Sequence, residues 1–257
     1  MKRGTAILMA LGSDEALERE GLGVVRIAQL VGYEKSQVSR ALAALAESGL
    51  VDRDPASRAY RLGWRFFALA ARSGRPRLMQ LAPAVLTQLV AEFGETAHLS
   101  VLQGTEVLTL LSEAPSSAIK ADGWSGRTVP VSCTSAGRAL LFDHDLPALE
   151  TLFAGTGLAH LRPRAPADVE ELYRRIRAAR ARGYATVDEE FEAGLVAAAA
   201  PVRDFSGRII AALNMSGPKF RLGKRLRLAG AALQTAAGTL SVQMLSAPGA
   251  DGSRRTS

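Results

Sequence analysis

Apolar residues recur along this chain at two spacings, one near 3.6 and one near 2, and the changes between them mark its elements. Residues 3–10 read as a helix and 13–23 as a polar stretch. In a short helix over 24–31, Ile27, Leu30 and Val31 face one way, and Gly32-Tyr33 makes a tight turn. A strongly periodic helix follows over 35–48 and Gly49 ends it. Two short extended runs, 50–53 and 58–62, flank Asp54-Pro55-Ala56-Ser57. Asp at the first and Pro at the second turn position favour a hairpin there. Residues 63–72 are helical, and Ser73-Gly74-Arg75-Pro76 breaks the pattern.

Beyond that break, residues 78–93 are helical, and 96–103 and 107–114 read as strands around Gly104-Thr105-Glu106. Helices are expected over 134–142 and 166–182, the latter with Leu172, Ile176 and Ala179 on one face. Residues 184–187, 196–203 and 208–216 are strand-like, the last two joined by Asp204-Phe205-Ser206-Gly207. Residues 219–227 open a C-terminal docking helix, in which Leu226, Leu233 and Leu240 recur every seven residues with Ala229, Ala236 and Met244 beside them. The pattern gives a mixed α/β (α+β) fold: a first domain over 1–62, a linker helix over 63–77, a second domain over 78–246, with antiparallel sheet and flanking helices, and a disordered tail over 247–257.

Helix, glycine turn, helix and hairpin is the order of a winged helix-turn-helix. On a wheel of the second helix, Val38, Ala41, Leu42 and Leu45 cluster on the side that must pack inward. Ser36, Arg40 and Glu47 lie opposite, with Gln37 at the edge of that face and Tyr33 before it. An amide and a guanidinium there suit base edges in a major groove, Gln toward adenine and Arg toward guanine. Lys35 and Ser39 suit phosphates, and Arg53, Arg58 and Arg61 surround the hairpin turn, within reach of the backbone or a minor groove. The expected partner is a double-stranded DNA operator.

Charge sharpens this picture. The 257 residues carry 32 Lys+Arg against 25 Asp+Glu, a net +7, but unevenly. Residues 1–75 are net +4, residues 76–218 net −3, and residues 219–257 net +6. A basic module is therefore joined to a chemically different one. A single cysteine excludes an internal disulfide framework and any thiolate-rich zinc site, and a reducing cytoplasm is the default location. Residues 5–11 are too short a run for a signal peptide, and 228–250 is amphipathic rather than lipid-like, so no membrane segment is expected.

Several blocks resemble one family. Val25-Arg26-Ile27-Ala28-Gln29-Leu30-Val31-Gly32, Lys35-Ser36-Gln37-Val38-Ser39-Arg40-Ala41-Leu42, Glu47-Ser48-Gly49-Leu50-Val51 and Tyr60-Arg61-Leu62-Gly63 are similar to the N-terminal domain of IclR-family transcriptional regulators. The similarity continues through Pro130, Thr134-Ser135-Ala136-Gly137-Arg138-Ala139-Leu140-Leu141, Arg182-Gly183-Tyr184-Ala185, Asp188-Glu189-Glu190, Gly194, Ala199-Ala200-Pro201-Val202, Asp204, Gly207 and Ser216-Gly217-Pro218. Order and spacing of the blocks carry the resemblance over almost the whole chain. It implies a ligand-responsive regulator, a repressor of catabolic or metabolic genes, with a GAF-like effector-binding domain that assembles homodimers or dimers of dimers.

For the effector, the resemblance carries over Ser135, Val187, Ala197, Asn214 and Ser216. Members that bind small keto acids are polar at the positions of Val187 and Ala197; here both are apolar, which favours an effector with an apolar or aromatic part. The residues themselves point to a helix opening near Thr134-Ser135, whose free N–H groups suit a carboxylate, with Cys133 just before it. Thr134 and Ser135 either cap that helix or meet the ligand. Trp124 either walls the pocket or packs elsewhere, whereas Leu99, Val101 and Leu110 read as core.

Catalysis is not expected. A nucleophilic Cys133 with His98 or His144 as base and Asp143 behind it lacks supporting spacing, and packing is the commoner role for a lone cysteine. His98, His144 and His160 have no metal-ligand spacing. Asp188-Glu189-Glu190 reads as a set of loop salt-bridge partners rather than a catalytic base. No phosphate-binding or dinucleotide glycine motif occurs, so no cofactor is expected.

Overall fold

Short capping and turn residues decide where the N-terminal helices begin and end. This computed structural model describes residues 2–71, 76–115, 124–159 and 162–245. The chain divides into two compact units between Pro76 and Arg77. In the first, α1 (Lys2–Leu11) is followed by a helix that periodicity does not show, α2 (Asp14–Glu18). Ser13 caps α2, its hydroxyl accepting from the Ala16 N–H, and only Ala16 of this helix is buried. The stretch expected to be merely polar is therefore partly helical. α3 (Val24–Val31) stops at Gly32, whose φ of +69° is left-handed. α4 (Lys35–Glu47) buries Val38 and Leu42, while Leu30 of α3, expected to face inward, is 44% exposed.

The hairpin pairs β1 (Val51–Arg53) with β2 (Tyr60–Leu62) in antiparallel register, Arg53 opposite Tyr60 and Asp52 opposite Arg61. Its turn is wider than the four residues expected. Asp54 accepts through Oδ1 from the Ala56 and Ser57 N–H groups, and Arg58 closes it at φ +58°. Tyr60 also exchanges backbone bonds with Leu22, fastening the hairpin to the segment before α3. Ile7, Leu11, Leu22, Ile27, Val38, Leu42, Val51 and Tyr60 form the core of this unit. α5 (Trp64–Ala71) follows; Arg72 and residues 73–75, where the break was expected, lie outside the described residues.

The second unit opens with α6 (Pro76–Phe93), then β3 (Thr96–Gln103), β4 (Glu106–Glu113) and β5 (Thr128–Pro130). Three helices come next: α7 (Ser135–Leu140), α8 (Leu146–Phe153) and α9 (Val169–Arg182). They lead into β6 (Ala185–Asp188), β7 (Leu195–Arg203) and β8 (Ile209–Pro218). The chain then turns through α10 (Lys219–Leu222) and a 3-10 turn at Gly223–Arg225 before α11 (Leu226–Leu245). The C-terminal helix thus starts at Leu226 and not at residue 219. α8 and β5 are additions to the expected elements.

The six strands form one antiparallel sheet in the order β5-β4-β3-β8-β7-β6. Alternation along each strand sends side chains to opposite faces. Ala97, Leu99, Ala198, Ala200, Leu213 and Met215 join a core with α6 and α11, in which Leu233 and Leu240 are fully buried. On the other face, Val107, Ala185, Ala199 and Ala212 join a second core with α7, α8 and α9. A register shift at Leu99/Ser100 sets Thr109 opposite Ser100, on that second face.

α7 packs with its backbone against the segment after β5. A Cβ on Gly137 would run into the Val131 carbonyl oxygen, so only glycine fits. Such crowding is absent at Gly238 on α11, where an added Cβ meets nothing within 4 Å. Gly137→Ala is expected to lower stability by about 3 kcal/mol, the upper part of the overpacking range. Gly238→Ala is expected to raise it by about 0.5–1 kcal/mol through reduced chain entropy. Urea unfolding of the two variants checks both signs.

Candidate functional site

The helix-turn-helix unit presents a polar, basic face. Lys35, Ser36, Ser39 and Arg40 on α4 are exposed, and Gln37 is half-buried at the edge of the same helix. Glu34 stands at the N-cap of α4 without a side-chain bond, so the first N–H groups of the helix point outward unmet by a capping side chain. Among the described residues, Lys35, Arg40, Arg53, Arg58 and Arg61 form no salt bridge with an acidic partner. By contrast, Arg26 is held by Glu15 at 2.8 Å. Free cations beside hydroxyl and amide groups are what a phosphate backbone and base edges require.

The hairpin does not gather its arginines on one side. Arg53 lies opposite Tyr60 and Arg61 opposite Asp52, so the two side chains leave on opposite faces, and Arg58 sits at the tip. The Arg53 guanidinium stands over the Tyr60 ring at 5.4 Å. A basic residue absent from the expected set joins the α4 end of the face: Arg3 of α1 stands over the Tyr33 ring at 5.1 Å. Its distance of 30 residues from Tyr33 along the chain hides this pairing from any local motif.

In the second unit, a cavity opens on the sheet face that also carries α7. His98 and Ser100 of β3, Val107 and Thr109 of β4, Val129 of β5 and Asn214 and Ser216 of β8 share its floor. Val187 of β6 and Ala197 of β7 continue it, and Thr134, Ser135 and Ala136 close one end. Trp124 and Phe191 supply an aromatic wall, their rings edge to face with centroids 6.3 Å apart. Arg127 stands over the Trp124 ring at 5.8 Å.

Ser135, Val187, Ala197, Asn214, Ser216 and Trp124 thus all line one cavity, and Cys133 does not. Cys133 is fully buried, with its thiol donating toward the Pro130 carbonyl at 3.8 Å. Burial pushes that thiol up to about 11, so it stays protonated and is a poor nucleophile. It adjoins the cavity end in sequence, but its side chain is buried in the core.

Thr134 proves to be the N-cap of α7, accepting from the Gly137 N–H at 3.1 Å and donating to the Pro130 carbonyl at 3.2 Å. α7 has only six residues, which makes its dipole a minor feature. No Lys, Arg, Asp or Glu stands among the described lining residues. His98, Ser100, Thr109 and Phe191, with the apolar Val107, Val129, Ala136 and Leu195, are the lining residues that sequence reasoning missed or placed elsewhere. His160 lies outside the described residues, and those residues hold no cluster of metal-ligating side chains.

The acidic run beside the cavity is structural. Glu190 binds buried Arg138 with both carboxylate oxygens, and Arg175 reaches the same group at 3.0 Å. Asp188 and Glu189 pair with Lys219 and Arg164 at the surface. The side chain of Glu189 is held below the usual carboxylate range mainly by its bond from Lys219.

Two family models cover this geometry. The IclR helix-turn-helix domain matches residues 2–55, and the model described as the bacterial transcriptional regulator IclR C-terminal region matches residues 73–242. The chain belongs to the IclR family. The family's regulators that it resembles include XynR of Escherichia coli, 30% identical over 243 residues that span 90% of this chain and 94% of that protein. They also include the transcriptional repressor AllR of Salmonella typhimurium, 27% identical over 86% of this chain and 80% of that one. A solved IclR-family regulator from Alicyclobacillus acidocaldarius superimposes with a TM-score of 0.74 at 26% identity, covering 95% of this chain and 97% of that one. This IclR-family member is accordingly a ligand-responsive, DNA-binding transcriptional regulator, with a helix-turn-helix domain and a curled antiparallel sheet domain. Among its described residues no helix is long and apolar enough to cross a membrane.

Burial of His98 has a measurable consequence for this regulator. Desolvation pushes its imidazole down from 6.5 to about 4. As pH falls from 6.5 toward 4, the unfolded chain takes up a proton that the folded chain refuses, so stability is lost across that window by about 3 kcal/mol. His98→Gln is expected to flatten stability between pH 6.5 and 5, measured by urea unfolding above the range where carboxylates titrate.

Proposed function

We propose that this chain works as a homo-oligomeric repressor in the cytoplasm, bound to a pseudo-palindromic operator and released by a small effector. The observation that carries the DNA half is the α4 face: exposed Lys35, Ser36, Ser39 and Arg40 with no acidic partners among the described residues, flanked by Arg53, Arg58 and Arg61. Two such helices on a two-fold axis enter successive major grooves about one helical turn apart. Arg40 and Gln37 read base edges; Lys35, Ser39 and the hairpin arginines hold the backbone. The helix Trp64–Ala71, near the end of the first unit, serves as the lever in this reading.

The cavity supports an effector with an apolar or aromatic body. Val107, Val129, Val187, Leu195 and Ala197 line it together with Trp124 and Phe191. A carboxylate is the less favoured head group, because no cationic side chain lines the described wall and α7 is short. Neither cofactor nor catalysis enters this reading. Its effector binds one oligomer geometry better than another and shifts the balance between them.

Operator binding measured across a salt series tests the proposal. Affinity should fall steeply with salt, with a log–log slope that is reduced by about 1 in Lys35→Ala. Arg40→Ala should cost about 1–3 kcal/mol and relax preference at one base pair. A flat salt response, or unchanged affinity and sequence preference in both Arg40→Ala and Gln37→Ala, would overturn the assignment.

A further inference from the structure

We propose that His98 selects the effector, by bonding a hydroxyl group carried on its apolar or aromatic body. This inference rests on the reading of the cavity as the effector site. Its basis is the hydrogen bonding of the two central strands. His98 of β3 lies directly opposite Asn214 of β8, and Ser100 and Ser216 share their face. Ser100 donates to Asn214 Oδ1 at 3.0 Å, and His98 Nε2 lies 3.2 Å from Ser216 Oγ. These bonds leave His98 Nδ1 buried with no hydrogen-bond partner among the described residues. The atom is closed to water, so a ligand meets it by turning the imidazole toward the cavity that His98 lines.

The ring is uncharged near neutral pH, so one of its nitrogens donates and the other accepts. If Nε2–H donates to Ser216, Nδ1 is an acceptor; if the serine donates, Nδ1–H is a donor. A hydroxyl satisfies either arrangement because it both donates and accepts, whereas a carboxylate suits only one. The aromatic wall begins at this histidine. Trp124 stands edge to face with His98, centroids 6.3 Å apart at 72°, and Phe191 continues the wall beyond it. Trp124 thus links His98 to Phe191 along that wall. Ser135 and Thr109, at other parts of the wall, have no comparable orphaned nitrogen.

Calorimetric titration of the full chain with matched probe pairs tests the inference: phenol against toluene, and 4-hydroxyphenylacetate against phenylacetate. The hydroxylated member should bind about ten-fold or more tightly than its partner. His98→Leu should remove that preference while leaving the affinity for the partner within about three-fold. His98→Gln, whose amide both donates and accepts, should keep most of the preference, and it carries the test should the leucine variant fail to fold. Equal binding of both members to the native chain, or a preference undiminished in His98→Leu, overturns the role of His98 and leaves the cavity reading standing. Binding of no member of either pair overturns the cavity reading and this inference with it.

Discussion

A buried guanidinium holds the cavity end of the second unit in place. Arg138 is 3% exposed and Glu190 6%, so both charges have lost their water. A pair of this kind gains from hydrogen bonds to its remaining groups, and Arg138 has most of them, although its buried Nε has no hydrogen-bond partner among the described residues. Here Arg138 spends Nη1 on Glu190 and on the Thr186 carbonyl, and Nη2 on the second carboxylate oxygen. Arg175 of α9 brings a further cation to the same carboxylate. Four pieces of the fold are joined at this point: α7, β6, α9 and the turn between β6 and β7. Phe191 follows Glu190 in that turn, so the aromatic wall of the cavity is fixed by charges that lie outside it.

The same turn explains why the acidic residues look dense in sequence yet leave none for chemistry. Glu189 adopts a left-handed φ of +58° and accepts from the Gly194 N–H at 3.0 Å, while Lys219 and Arg164 take its outer side. Basic residues after β8 are consumed likewise. Lys219 pairs with Asp188 and Glu189, Arg221 with Glu95, and Arg225 donates to the Phe93 and Glu92 carbonyls. Much of the positive charge following residue 218 therefore serves packing, and net charge alone overstates the surface available to an anion. Among the described residues, Lys35 and Arg40 of α4 form no salt bridge of that kind, while on the hairpin Arg53 stands over the Tyr60 ring and Arg61 acts on Asp54.

Periodic elements were readable where one face is buried along many residues. α4 shows this best, with Val38 and Leu42 inward and Ser36 and Arg40 outward. α2 escaped because five residues with one buried alanine make no stripe, although Ser13 was available as its cap. α8 offered Asp145 as a cap and a proline in its first turn, signals that a search for apolar spacing passes over. β5 has three residues and exists through its pairing with β4. In the cavity, the polar positions two apart on β8 were legible, but His98 meets Ser216 across 118 residues. Thr109 follows Val107 by two residues on β4, so alternation puts both on the cavity face, and the register shift sets Thr109 opposite Ser100.

Two contrasting uses of polar groups follow from the architecture. Helix α4 keeps Lys35 and Arg40 exposed, so in the proposed reading contact with phosphate releases counterions and needs no buried charge. The cavity has charges in its supporting shell and neutral donors and acceptors in its lining, with His98 kept uncharged by its own burial. A ligand entering such a site loses little to the field of a misplaced charge, and its affinity depends on shape and on hydrogen bonds that are met or unmet. Any effector that shifts operator affinity by a given factor must itself have its affinity shifted by that factor when operator is bound. The coupling therefore belongs to the whole regulator, in which Arg138 and Glu190 tie the wall of a cavity without charged lining to the fold.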